Sequence, residues 1–194
     1  AVINYLSDGI TISGLAAGNY TLKVTAVPDA NHNAAEATAN IAVNRVIVTN
    51  DNFNEYFNEN GELIQDLPEL IFTGEFADKH FNINKPVNLV GEGEEFTNVQ
   101  FTVRSDNVSI INMELNYTGA NPIIDVDGVS NFTLDNSFIV YSTGADWASV
   151  ISVKNSDEVI IKDNYIEASG KSFIDGILIS DSNFTIESNT ISVS

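Results

Sequence analysis

Apolar and polar residues alternate in a pattern that recurs four times in the second half of the chain. The four copies span residues 108–115, 132–139, 159–166 and 184–191. Each copy has apolar residues at its first, third and eighth positions, and successive copies start 24, 27 and 25 residues apart. Alternation with a period of two predicts strands, and a fixed repeat of this length predicts stacked coils rather than a globular domain.

A second alternating segment precedes each copy and repeats with it. These segments span residues 101–103, 124–126, 151–153 and 177–179. Each coil therefore contains at least two short strands separated by a corner. Because too few residues remain for a helix, strands that return after about 25 residues stack in parallel on the previous coil. For residues 47–194 we predict an all-β fold, a parallel β-helix of about five or six coils that begins near Leu70 and Phe81.

Residues 1–46 have a different pattern. Clean alternation over 20–27 and again over 35–43, with a loop at 28–33, predicts antiparallel strands. An immunoglobulin-like (Ig-like) sandwich needs about seven strands, and only three or four are visible here. We therefore expect a partial Ig-like domain over 1–46.

A short amphipathic helix is predicted between these two parts, near residues 51–58. Asp51 or Asn52 can cap it, and Phe53, Tyr56 and Phe57 fall on one face. Such a helix would cover the open end of the β-helix, whose unpaired strand edges favour aggregation.

The run at 83–93 (Ile-Asn-Lys-Pro-Val-Asn-Leu-Val-Gly-Glu-Gly), the coil sequence at 106–112 and the N-terminal strands resemble adhesin-like surface proteins of methanogenic archaea. Those proteins combine pectate-lyase-like, right-handed β-helices with Ig-like repeats. The resemblance implies a right-handed coil, an extracellular location on the cell surface, and adhesion to a glycan or a surface protein of another cell. It supplies no catalytic residue.

The charge and composition of the chain argue against several classes of partner and site. The net charge of −19 and the pI near 4.1 disfavour nucleic acid and anionic membranes as partners. With no cysteine, the chain has neither a disulfide framework nor a thiolate metal site. No apolar run is long enough for direct membrane insertion. The chain opens and breaks off within strand patterns and lacks an initiator Met, so we expect a fragment of a longer protein.

Candidate catalytic residues are sparse. A polysaccharide lyase uses a basic side chain beside carboxylates that hold Ca²⁺, yet the two arginines, Arg45 and Arg104, have only Asp106 close by in sequence. Asp125 and Asp127 share one face of a strand, and we expect them to be solvated surface acids. Two alternatives are a weak Ca²⁺ site, although the residues that follow do not match an EF-hand loop, and a catalytic pair of carboxylates as in a hydrolase. His32 and His80 fall in polar segments, and we expect both to be exposed loop residues. No cofactor is predicted.

Polar columns follow the repeat. The fifth positions hold Asn112, Asn136, Asp163 and Ser188, and we expect a hydrogen-bonded ladder at a coil corner. Glycosylation sequons occur at Asn19, Asn107, Asn116, Asn131 and Asn183.

The variable corners carry the strongest binding candidate. Tyr117 and Tyr141 are 24 residues apart, so they should be neighbours on successive coils, with Asp146 and Trp147 beside them. Aromatic faces with nearby carboxylates are typical of sugar and peptide sites. The alternative is that these rings only pack on the coil.

These observations favour a non-catalytic, extracellular, adhesin-like protein in which a rigid β-helix presents or binds a partner. One alternative is a structural envelope or filament subunit that self-associates through open sheet or coil ends. Another is a polysaccharide-active β-helix enzyme, a lyase or a hydrolase.

Overall fold

The computed structural model describes residues 2–6, 9–13, 18–26, 33–43, 45–93 and 95–194 of the chain, which divides into two units, Ala1–Arg45 and Val46–Ser194. The first unit contains two antiparallel sheets of two strands each. Strand β1 (Val2–Leu6) pairs with β2 (Gly9–Ser13), and β3 (Gly18–Ala26) pairs with β4 (Ala35–Val43). The two long alternating strands are therefore confirmed, whereas the Ig-like assignment stays a prediction.

The second unit consists of short strands. In chain order they are β5 (Ile47–Val48), β6 (Glu69–Phe72), β7 (Phe76–Ala77), β8 (His80–Ile83), β9 (Val87–Gly91), β10 (Glu95–Thr97), β11 (Gln100–Val103), β12 (Val108–Ile111), β13 (Glu114–Thr118), β14 (Ile124–Asp127), β15 (Phe132–Asp135), β16 (Phe138–Thr143), β17 (Trp147–Lys154), β18 (Val159–Lys162), β19 (Tyr165–Gly170), β20 (Phe173–Ser180), β21 (Phe184–Glu187) and β22 (Thr190–Val193). Among the described residues, no helix has the length and apolar character needed to cross a membrane.

These strands form three parallel sheets. Sheet 1 contains β8, β11, β14, β17 and β20; sheet 2 contains β5, β6, β9, β12, β15, β18 and β21; and sheet 3 contains β7, β10, β13, β16, β19 and β22. The chain visits the three sheets in turn, which gives a β-solenoid of about six turns. The pairing of Val108 with Phe132, and of Ile124 with Ile151, is the register that the repeats predict.

The solenoid is filled by the inward residues of each strand. Its first turns contain a phenylalanine cluster made of Phe53, Phe57, Phe72, Phe76, Phe81, Phe96 and Phe101. All seven rings are at least 95% buried. Burying a side chain of this size stabilises the fold by roughly 1.5–3 kcal/mol.

The predicted helix near 51–58 is wrong in type and length. Only Phe53–Glu55 is helical, as a single 3₁₀ turn. The Asn52 carboxamide does not cap this turn, because its Oδ1 accepts from the Thr49 N–H at 2.7 Å and its Nδ2 donates to the Ile47 carbonyl at 3.0 Å. Phe53 and Phe57 nevertheless stack, 4.8 Å apart, and lie buried against Phe81.

The predicted polar ladder is confirmed at its first two positions. The Asn112 amide donates to the Gly91 carbonyl at 2.6 Å, and the Asn136 amide donates to Asn112 Oδ1 at 3.2 Å. All four fifth-position residues have positive φ, between 46° and 57°. Asparagine tolerates this left-handed conformation better than most residues, so the column also ends the first strand of each copy.

Replacing Asn136 with Ala should lower the free energy of unfolding by about 1–2 kcal/mol, since alanine disfavours the left-handed backbone and lacks the ladder amide. Asn136→Gly keeps the backbone freedom and removes only the ladder bond, so it should cost less. Urea denaturation followed by circular dichroism measures both. Equal losses in the two variants would contradict the backbone part of the explanation.

Candidate functional site

The predicted patch of Tyr117, Tyr141, Asp146 and Trp147 is wrong in its tyrosine half. Tyr117 and Tyr141 are neighbours on successive coils, with ring centroids 5.8 Å apart, but they are only 8% and 0% exposed. Burial raises the pKa of both phenols, which therefore stay neutral. The reason is strand alternation: Tyr117 lies two residues after the inward Leu115, so both side chains enter the core.

Trp147 has the opposite environment and a different partner. It is 73% exposed and stacks on Phe173, which is 62% exposed. The ring centroids are 4.4 Å apart and the planes are inclined by 21°. We call Trp147 and Phe173 the aromatic pair. Two exposed rings in van der Waals contact form one apolar surface that reaches into solvent.

Strand pairing fixes the position of the aromatic pair. Strands β17 and β20 each have eight residues, and their first residues, Trp147 and Phe173, lie directly opposite each other. The Phe173 N–H donates to the Asp146 carbonyl at 3.1 Å, and the next residues, Ala148 and Ile174, pack on the core. Strand pairing therefore fixes the backbone position of both aromatic residues.

An ion pair accompanies the rings. Lys171 Nζ lies 3.0 Å from Asp146 Oδ1, and both side chains are largely exposed. Asp146 directly precedes Trp147, and Lys171 lies two residues before Phe173. An exposed ion pair adds little stability, so these groups keep their capacity to bond other polar molecules. Aromatic faces with a few polar groups beside them are typical of surfaces that bind small molecules.

A second stacked pair is exposed on sheet 3. Phe138 and Tyr165 lie opposite each other on β16 and β19, with centroids 5.1 Å apart, and each is about two-fifths exposed. An ion pair also joins these two coils, because Lys162 Nζ lies 3.1 Å from Asp135 Oδ2, three residues before each ring. It is therefore a matched comparison for the aromatic pair.

A shallow polar groove runs along the first corners of the solenoid. It is lined by Asn58, Glu59, Asp78, Lys79, His80 and Asn98, among others. His80 is exposed but opens strand β8, so its assignment to a loop is wrong; its Nε2 lies 2.7 Å from Thr102 Oγ1. His32 lies outside the described residues. The Lys79 ammonium lies 4.7 Å from the centroid of the Phe53 ring, so the basic side chain of the groove already has a partner.

The candidate catalytic acids have partners on adjacent coils. Asp125 lies opposite Thr102 on one neighbouring coil and Ser152 on the other, and its side chain points outward. There it forms an ion pair with Arg104. Asp127 Oδ1 accepts from the Asn155 amide at 2.9 Å. Among the described residues, no three His, Asp or Glu side chains come together as metal ligands.

The sequons occupy coil corners and outer faces. Asn107, Asn116, Asn131 and Asn183 are exposed, whereas the surroundings of the Asn19 side chain lie outside the described residues. The Asn131 amide donates to Asn107 Oδ1 at 2.9 Å, and the Asn116 amide donates to Glu95 Oε1 at 3.3 Å. Glycosylation stays a prediction, and at Asn131 a sugar would compete with this ladder bond.

Phe173 is the site residue that sequence analysis missed. The signal was available, because the pairing of Ile151 with Ile177 places Trp147 opposite the residue 26 positions downstream. The chain matches no protein-family model, no curated protein and no solved structure.

Proposed function

We propose that this chain is a non-catalytic binding module of an extracellular, adhesin-like surface protein, and that it holds a glycan on the aromatic pair. One observation carries the proposal: Trp147 and Phe173 are 73% and 62% exposed, although the other aromatic rings of sheet 1, Phe81 and Phe101, lie inside the solenoid. Large exposed apolar surfaces flanked by polar groups are typical of interaction sites.

The chemistry of the site favours a neutral glycan. The C–H faces of a sugar ring can pack on an aromatic ring, while the Asp146 carboxylate accepts from hydroxyl groups and the Lys171 ammonium donates to them. Acidic polysaccharides are repelled by the net charge of −19, which one exposed lysine does not offset.

The remainder of the solenoid supports a role as a rigid scaffold. Strand pairing holds Trp147 and Phe173 on adjacent coils, so the glycan meets a surface formed before binding. Such preorganisation reduces the entropy lost on binding. The pairing of Arg104 with Asp125 and of Asn155 with Asp127 supports a structural rather than a catalytic role for those acids.

Intrinsic fluorescence offers a direct test, because Trp147 is the only tryptophan of the chain. The protein should bind neutral oligosaccharides on a glycan array. Titration with an oligosaccharide identified on the array should then change the emission of Trp147, since the ring becomes less hydrated. Binding that leaves the emission unchanged would place the glycan elsewhere on the solenoid.

Paired variants complete the test. The double variant Trp147→Ala/Phe173→Ala should bind the same oligosaccharide at least about tenfold more weakly, as expected for the loss of central aromatic contacts. The control Phe138→Ala/Tyr165→Ala removes the other stacked pair and should bind normally. Equal weakening in both double variants would contradict the proposed site, because it would report a general loss of structure.

A further inference from the structure

The outer face of sheet 3 carries an exposed apolar surface that is separate from the aromatic pair. Phe138 and Tyr165 stack there with their ring planes inclined by only 8°. Their strands, β16 and β19, are each paired on both sides, so both rings stand on inner coils. Val140 lies on the same outer face, two residues after Phe138, and is half-buried. Exposed rings whose positions are fixed by strand pairing form a contact surface that exists before any partner binds.

Carboxylates surround these rings. Glu114 lies directly opposite Phe138 on the preceding coil, and Glu95 lies opposite Glu114 one coil further away. Glu167 follows Tyr165 by two residues on the same strand, and all three glutamates are exposed. The six strands of sheet 3 contain these three glutamates but no Lys, Arg or His. This face is therefore apolar and negatively charged at once.

Lys162, three residues before Tyr165, does not change the sign of this charge. Its Nζ lies 3.1 Å from Asp135 Oδ2. The hydrogen bond to Asp135 and the charges of Asp135, Asp163 and Glu187 raise the pKa of its ammonium group. Three carboxylates thus surround one ammonium group at the corner before the rings, and the local charge stays negative.

We infer that the outer face of sheet 3 binds a cationic, arginine-containing segment of a partner protein. One guanidinium group stacks on the face of Phe138 that Tyr165 does not cover, and it pairs with the Glu114 carboxylate on the adjacent coil. A guanidinium group is planar, stacks on aromatic rings and binds a carboxylate through two parallel hydrogen bonds. An ammonium group is more strongly hydrated and cannot make the planar contact, so lysine fits this surface less well.

The spacing of the carboxylates suits an extended segment. Glu114 and Glu167 lie two strands and two residues apart along the sheet, which places their backbones roughly 12 Å from each other. Side chains on one side of an extended chain repeat about every 7 Å. Two arginines separated by one residue can therefore reach both carboxylates with their long side chains.

Charge makes this site different from the aromatic pair. The net charge of −19 attracts a cationic segment at long range, and the glutamates of sheet 3 hold it at short range. Because salt screens attraction between exposed charges, binding should weaken as the ionic strength rises. A neutral glycan on Trp147 and Phe173 carries no charge, so its binding should not show this dependence.

Fluorescence anisotropy with a short, dye-labelled peptide of alternating Arg and Ser tests the inference. The protein should bind this peptide at low ionic strength and should bind the same peptide with Lys in place of Arg more weakly. Phe138→Ala/Tyr165→Ala should weaken binding of the Arg peptide at least about tenfold. The matched control Trp147→Ala/Phe173→Ala should bind it normally. Both double variants keep the net charge, so long-range attraction is the same in both.

Glutamine variants test the carboxylates without changing the shape of the side chains. Glu114→Gln/Glu167→Gln should also weaken binding of the Arg peptide about tenfold or more. The matched control is Glu55→Gln/Glu69→Gln, which removes the same charge from exposed residues of the 3₁₀ turn and of β6 and should have a much smaller effect.

Any of four results would overturn the inference: no binding of the Arg peptide, equal binding of the Arg and Lys peptides, equal weakening in the two aromatic double variants, or equal weakening in the two glutamine double variants. The last result would mean that the peptide responds only to the net charge. The inference does not depend on the proposed glycan site, because the two surfaces take different ligands and each aromatic double variant is the control for the other.

Discussion

Phe81→Ala should lower the free energy of unfolding by about 3–5 kcal/mol, the range found when a large aromatic side chain is removed from a packed core. Phe81 is completely buried in the centre of the phenylalanine cluster. Its ring centroid lies 5.5 Å from that of Phe53, 5.2 Å from that of Phe57 and 4.7 Å from that of Phe101. The substitution therefore leaves a cavity between the 3₁₀ turn and the first coils.

The effect should be concentrated at the N-terminal end of the solenoid. Because each coil contacts mainly its neighbours, stability in such folds is close to a sum of coil and interface contributions. Urea denaturation measures the total loss, and hydrogen exchange should show the largest increase in opening for β8 and β11, which contain Phe81 and Phe101. Phe138→Ala is the matched control, since it removes the same ring from an exposed site and should cost about 1 kcal/mol or less. A similar loss in both variants would show that Phe81 is not part of a closed core.

Much of the fold could be predicted because strand alternation is a local property of the sequence. The short segments at 101–103 and 124–126 have the same parity and the same length, so their stacking follows from the repeat alone. The separate third strand of each coil was not predicted. The left-handed residue at the fifth position, such as Asn112, forms a corner inside the motif. The first four residues of the motif therefore form one strand, and the eighth residue belongs to the next strand.

The candidate site was harder to predict because its corners differ in length from coil to coil. The spacing of 24 residues correctly places Tyr117 beside Tyr141 on the next coil. Spacing alone does not show whether a side chain points into the core or into solvent. Parity answers that question, since Leu115 and Tyr117 occupy the same face. The corner before Phe173 has no sequence motif of its own. Phe173 is identified as the partner of Trp147 only by the register of β20, the strand that begins at Phe173.

A second polar ladder lies at the sixth position of the motif, next to the fifth-position column that the sequence indicated. Asn164 is 2% exposed and accepts from the Ser137 N–H at 2.9 Å. Its amide donates to the Leu134 carbonyl at 3.1 Å and to Asn189 Oδ1 at 2.9 Å. One side chain thus connects its own coil to both neighbouring coils.

Asn164→Ala should therefore cost about 2–4 kcal/mol, because it leaves the Ser137 N–H buried without a partner and removes the amide's hydrogen bonds to the Leu134 carbonyl and to Asn189 Oδ1. The matched control is Asn116→Ala, which removes one exposed hydrogen bond of 3.3 Å and should change the stability by no more than about 0.5 kcal/mol. Urea denaturation compares the two. Equal effects would mean that water replaces the buried amide and that the inner ladder contributes no more than the outer one.

Asn164→Asp separates the hydrogen bonds from the shape of the side chain. At this buried position the pKa of the introduced carboxyl should lie above its value in the unfolded chain, since burial disfavours the charged form. The neutral acid still accepts from the Ser137 N–H and supplies one donor, so the variant should be most stable below the unfolded pKa of about 3.9. As pH rises from there toward the folded pKa, the unfolded state loses its proton first and the stability falls. A variant whose stability does not depend on pH in this range would show that solvent reaches residue 164, and with it that the ladder is open to water.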